Sequence, residues 1–181
     1  MQTCWDAQLP ARTIREYFHI LEDTLIGTLI PSFSLQIKRK AYSSAKFFLF
    51  DVGVANVLAE KGHITARSDA FGSAFEHFIF TELRAWLNYT RDQRRICYWH
   101  AENSQEVDFL IGRDIGIEVK ASGSITGHHL KGLYRLGESL KTRHRIIVSL
   151  DTAERLVDGI RILPWQKFLT CLWSGEYDSG S

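Results

Sequence analysis

Cysteine, proline and net charge are all scarce in this 181-residue chain, which carries three cysteines, three prolines and a formal charge of +1. Cys4, Cys97 and Cys171 are odd in number and far apart, with no CxxC pair. That argues against a disulfide framework or a zinc site and favours a reducing cytoplasm. A charge so near zero gives no overall field to gather nucleic acid or an anionic membrane, so any DNA contact must use a local patch. Lys38-Arg39-Lys40 and the run Arg91 to Arg95 are such patches, and each reads equally well as a solvated turn. No apolar run approaches the roughly 20 residues of a membrane span, and no basic-then-apolar leader opens the sequence. The expectation is a cytoplasmic protein with no membrane partner. Repeats and low-complexity stretches are absent too.

The remainder has the composition of a folded chain, 45% hydrophobic and 24% charged, and its length suits one ordinary domain or a small domain joined to a medium one. Residues 11–26 have helical periodicity, with Ile14, Phe18, Leu21 and Leu25 on one stripe. Pro10 can pre-set the first turn, and Thr13 with Glu16 fits a capping box. Gly27 and Pro31 end that helix. The stretch "FSLQIKRKAYSSAKFFLFD" reads as two strands joined by a basic turn, and "VGVANVLAEKG" as a helix stopped by Gly62. A helix followed by a basic hairpin is the second half of a winged helix-turn-helix. Arg12 and Arg15, in the first turn of the first helix, could then touch phosphate. Glu22 and Asp23 weaken that reading, and a spacer or dimer contact is the alternative.

The polar segment 63–73 separates a first unit, 1–62, from a second, 63–181. In the second a strong helix spans 74–89, followed by strands near 96–100, 107–111 and 117–121, a helix near 127–141 and a strand at 145–150. A short strand at 160–163 and a helix after Pro164 close the chain. This order predicts an α/β fold, a mixed sheet with helices against it.

Acids and a lysine interrupt two strands that otherwise read as core. In "EVDFLIGRDIGIEVKAS", residues 106–122, alternation sets Asp108 with Leu110 on one face and Val107, Phe109 and Ile111 on the other. Glu118 and Lys120 oppose Ile117, Val119 and Ala121. An odd loop from Gly112 to Gly116 pairs Ile111 with Ile117 and places Asp108 opposite Lys120, so the three polar groups converge. A two-residue turn would separate Asp108 from Glu118. On the helix 75–87, Glu76 falls within the apolar stripe while His77 points away. Carboxylates sharing a half-buried site repel one another, and a divalent metal with hard oxygen ligands removes the conflict. Metal, acids and Lys120 together suit phosphodiester hydrolysis. The plainer reading is a cross-strand ion pair between Asp108 and Lys120, with Glu118 facing water.

On these residues the sequence resembles the PD-(D/E)XK nuclease superfamily, whose core runs helix, three strands, helix, strand. Asp108 and Glu118-Val119-Lys120 match its motif, Glu76 matches the acid of its first helix, and Val107 stands where the motif has proline. Five blocks in order, "TIREYFHILEDTLIG", "AKFFLFDVGVAN", "GSAFEHFIFTEL", "EVDFLI" and "IEVKAS", resemble the C-terminal module of prokaryotic AAA-type ATPases, a winged helix followed by a nuclease-like domain. The resemblance implies a restriction-endonuclease-like fold after a partial winged helix. It also implies a Mg²⁺- or Mn²⁺-dependent site acting on DNA, with Asp108, Glu118 and the Val119 carbonyl on the metal, Lys120 assisting water and Glu76 completing the cluster. Lys131 and Tyr134 would line a DNA groove, or else be a surface lysine beside a core tyrosine. No GxxxxGK[ST] loop is present, so ATP binding is not expected of this chain, and a truncated paralogue, remnant or fragment is expected, with a separate ATPase chain or a second copy as partner. A non-catalytic nucleic-acid-binding or assembly module is the other expectation. The pair His128-His129 reads as a solvated helix start, and His100 as exposed.

Overall fold

The computed structural model describes residues 10–33, 45–66, 68–101 and 105–178. Lys38, Arg39 and Lys40 lie outside these, as does most of the first strand expected from "FSLQIKRK".

Helix α1 (Ala11–Asp23) ends short of the expected 26 because Leu25 turns left-handed, at φ 61°. Leu25 is 70% exposed and so leaves the apolar stripe. The Thr13 capping box does not form: Glu16 instead takes the Arg12 guanidinium at 3.0 Å, one turn away. Strand β1 (Gly27–Ile30), hidden from the sequence by its flanking glycine and proline, pairs antiparallel with β2 (Lys46–Leu49). A Cβ at Gly27 would stand 2.1 Å from the tip of the Phe47 ring, so a larger residue there would have to displace that ring. That ring also meets Phe18 of α1 edge-on at 4.7 Å. Helix α2 (Val52–Leu58) starts where Asp51 accepts the Val54 N–H at 2.8 Å, a conventional N-cap.

Helix α3 (Asp69–Thr90) is capped by Ser68 and begins inside the segment read as a polar boundary. After it come β3 (Ile96–His100), β4 (Glu106–Ile111), β5 (Ile115–Lys120), α4 (Gly127–Ser139), β6 (His144–Ser149), β7 (Arg155–Val157), β8 (Ile160–Pro164) and α5 (Trp165–Trp173). The three-residue β7 is the one strand of this region that alternation did not predict. The sheet order is β3-β4-β5-β6-β8-β7, parallel between β5, β6 and β8 and antiparallel elsewhere. It is a mixed six-stranded sheet flanked by helices, as the element order implied.

Helices cover both faces. One core joins Ile79, Leu83 and Trp86 of α3 and Phe168 of α5 to Phe109, Ile111 and Ile117. The other joins Leu130, Leu133 and Leu136 of α4 to Val107, Leu110 and Ile147. Val107 and Leu110 share a core despite their odd spacing because Tyr98 of β3 stands against both Asp108 and Phe109, a bulge between the Cys97–Leu110 and Trp99–Val107 pairs. The expectation that Val107 shares a face with Phe109 and Ile111 is therefore corrected. The small sheet is tied to the large one by a bridge from Ser32, just after β1, to Tyr98 and by Phe48 of β2 tilted against Phe109 of β4 at 5.9 Å. Among the described residues, no helix is long and apolar enough to cross a membrane.

Candidate functional site

The β4–β5 loop is odd in length, as expected, but shorter: Ile111 pairs with Ile115 and Phe109 with Ile117. Two facts favour the tight form. Gly112 takes the left-handed conformation at φ 61°, and Ile115, 1% exposed, enters the core rather than the loop. Lys120 is accordingly not opposite Asp108. It binds Glu118 instead, Nζ to Oε1 at 2.5 Å. Beyond the bulge Asp108 stands in for a missing ladder partner, its Oδ2 accepting the Val119 N–H at 2.8 Å.

A residue that sequence reasoning missed occupies the centre. Lys46, the first residue of β2, puts its ammonium 3.2 Å from Glu76 Oε1, 2.5 Å from Glu106 Oε1 and 3.6 Å from Asp108 Oδ1. It also lies over the Tyr98 ring, 5.4 Å from its centroid. Nothing in the local sequence marks Lys46, since its partners are 30 or more positions away. Glu106 could have been found: two residues before Asp108, it opens the same strand.

The site is thus four carboxylates and two ammonium groups in two linked clusters, Lys46 with Glu76, Glu106 and Asp108, and Lys120 with Glu118. Their electrostatics cross between the clusters. Burial and the nearby Asp108 charge push the Glu118 carboxyl up to about 7 against the pull of Lys120. Burial and Asp108 likewise raise Glu76, with Lys46 opposing. Burial works against both ammonium groups, but the surrounding carboxylates outweigh it and raise Lys46 and Lys120 above the ordinary lysine value. Both lysines stay charged. Glu118 is 7% exposed, and its Oε2 is buried with no hydrogen-bond partner among the described residues, a costly state for a carboxylate.

The donor types suit a hard cation: carboxylate oxygens from Glu76, Asp108 and Glu118, with the Val119 carbonyl on the same strand. Their arrangement is another matter. Among the described residues, no three His, Cys, Asp or Glu side chains form a group that could hold a metal ion as they stand. The carboxylates are turned onto lysines, and Lys46 supplies the positive charge that a cation would otherwise bring. A cavity of about 400 Å³ adjoins the cluster, with Lys46, Lys61, Ser73, Glu76 and His77 in its wall.

The other candidates stand outside the acid–lysine contacts. His77 was expected to point outward, but it is 7% exposed and bonded to the Leu49 carbonyl at 2.7 Å. The register between α3 and the small sheet explains this, as Phe48 packs on its ring. His129 is more than a solvated start: its Nδ1 accepts the Thr126 N–H at 3.1 Å and helps cap α4. His100 and Lys131 are exposed. Tyr134 donates to Asp158 at 2.8 Å, on the α4 side. Arg12 and Arg15 lie exposed on α1.

A family model described as a domain of unknown function (DUF4143) matches residues 71–168. A second, also described as a domain of unknown function (DUF8612), matches residues 3–64. No curated protein matches. No solved structure matches.

Proposed function

The chain belongs to the DUF4143 family, and we propose that it is a nuclease of the PD-(D/E)XK type, hydrolysing DNA phosphodiester bonds with Mg²⁺ or Mn²⁺. The observation that carries this reading is Glu118, a buried acid with one oxygen unpartnered among the described residues, beside Asp108 and with its other oxygen held by Lys120 two residues along β5. A core sheet has little reason to keep such a group for stability, because an apolar residue there would be cheaper. The element order and the motif spacing support it independently.

Asp108, Glu118 and the Val119 carbonyl would hold the cation, with Glu76 completing the acidic cluster. When bound, a divalent cation supplies Lewis acidity toward water and toward a phosphate oxygen. Asp108 anchors the β5 backbone at Val119 by accepting its N–H on Oδ2. Lys120 has its ammonium at the rim of the pair, where it can orient the attacking water or balance charge growing on phosphate. The AAA-type context suggested by sequence makes an ATPase chain the natural partner, with a second copy of this chain as the other.

A specific observation also favours a non-catalytic binding or assembly module: every acid of the site is paired with a lysine or, for Asp108, with a lysine and a backbone N–H. Metal binding separates the two. Melting of native protein should shift upward with Mg²⁺ or Mn²⁺, and that of Asp108→Ala should not. Plasmid nicking should then be lost in Glu118→Ala and Lys120→Ala. Metal-insensitive melting in the native protein, or equal nicking in the variants, overturns the nuclease reading.

A further inference from the structure

Lys46 belongs to the small sheet, far in sequence from the acids it touches, and holds three of them at once. Around the two clusters stand four carboxylates against two ammonium groups. One carboxylate oxygen, Glu118 Oε2, is buried and unpartnered among the described residues although Lys120 lies 2.5 Å from its twin. The cluster therefore has unused ligand capacity, while Lys46 is seated against Glu76 and Asp108, two of the carboxylates that a cation would need.

We propose that Lys46 is a displaceable counter-ion. Its ammonium and a divalent cation compete for Glu76 and Asp108, so the small sheet gates metal loading of the acidic cluster. This rests on the metal-site reading above and adds its regulation. The physical basis is simple. An ammonium 3.2 to 3.6 Å from these oxygens repels a second cation and occupies its approach. The cavity beside the cluster, lined by Lys46 itself with Asn56, Lys61, Ser73 and the apolar Phe47 and Ala74, gives the side chain room to go, with the like charge of Lys61 in the same wall. Its four-carbon stem is flexible enough to make the move without unfolding β2. Anything that held Lys46 in the cavity, an anionic phosphate above all, would favour the loaded state; anything that pressed β2 down would favour the closed one.

The test is Mg²⁺ titration by calorimetry on native chain, Lys46→Gln and Lys46→Arg, with nicking measured in parallel. Lysine Nζ resonances are followed in ¹⁵N-lysine-labelled native protein. Competition predicts that Lys46→Gln binds Mg²⁺ at least about tenfold more tightly than native, since removing a neighbouring like charge commonly shifts affinity by that order. Lys46→Arg, which keeps the charge, should stay within a few-fold of native. In the native protein the Lys46 Nζ signal should move and broaden as Mg²⁺ is added. Equal affinity in native and Lys46→Gln, tightening in Lys46→Arg to the same degree, no Mg²⁺ binding by Lys46→Gln, or a static Lys46 signal at saturation each overturns the proposal. Should Lys46→Gln fail to fold, the Nζ signal and the Lys46→Arg affinity still decide it. Tight Mg²⁺ binding to Lys46→Gln without nicking sinks the nuclease reading alone; nicking with unchanged affinity sinks the exchange alone.

Discussion

Asp108 and Val119 are joined by a single hydrogen bond across the open end of the β4–β5 hairpin, with the Val119 N–H donating to Oδ2 at 2.8 Å. Regular pairing stops at Phe109 and Ile117, because the bulge opposite Tyr98 interrupts β4 at this point. A side chain has taken over from the backbone.

Removing that side chain should be felt in stability. Asp108→Ala leaves the Val119 N–H without its acceptor and deprives Lys46 of a partner, and we expect a loss of about 1–3 kcal/mol. Asp108→Asn, whose amide oxygen can still accept, should lose less. Urea unfolding followed by circular dichroism measures both; an alanine variant as stable as native chain would refute the assignment.

Glu118 predicts a slope with pH. Its carboxyl, ordinarily near 4.5, is raised to about 7 by burial and Asp108. Between those values the folded chain keeps a proton that the unfolded chain has released, so stability falls as pH rises through the window. Below about 4.5 the contribution is flat, and above about 7 the whole cost is present. Glu118→Gln should lose this dependence and exceed native stability at alkaline pH, by on the order of a few kcal/mol. Melting curves across the window check the sign, and a native curve that steepens upward there contradicts it.

His77 fastens α3 to the small sheet through the Leu49 carbonyl. His77→Phe preserves ring contacts with Phe48 and deletes the bond, so the expected cost is about 1–2 kcal/mol. Hydrogen exchange should show the amides of β2 opening faster than those of β5. Uniform acceleration, or none, would mean that the bond does not couple α3 to the small sheet.

Gly132 brings α4 against β4. A Cβ there would lie 2.4 Å from the Glu106 carbonyl oxygen, a backbone atom that cannot step aside. Gly132→Ala should destabilise by about 1–3 kcal/mol despite alanine's better helix propensity. Because Glu106 is the closest of Lys46's partners, the same change should disturb the Lys46 resonance. A neutral or stabilising alanine would show that the close approach is not obligatory.

The order of elements in the second half was legible because each carried its own signal: the long stripe of α3, alternation in β4 and β5, and Pro164 before α5. The identity of Glu76, Asp108, Glu118 and Lys120 as the polar residues of that core was legible for the same reason, since each breaks an apolar pattern. Their pairing was not. A bulge depends on how two strands fit, and the loop register depended on whether Ile115 was worth burying; neither is written in local spacing. Lys46 and His77 were misread or missed because both are fixed by contacts between the small sheet and α3, and a helical wheel of α3 shows no sign of what lies on its far side. Leu25 failed more simply: its backbone turned before the periodicity did.

The bridge from Ser32 to Tyr98 has an evolutionary corollary. It joins a stretch matched by one family model to a stretch matched by the other, and Lys46 and His77 reinforce that seam with charge and a buried bond. Recombination that swapped only one of the two pieces between relatives would inherit half of each contact. The seam predicts that residues on its two sides change together through descent, as the parts of one heritable unit.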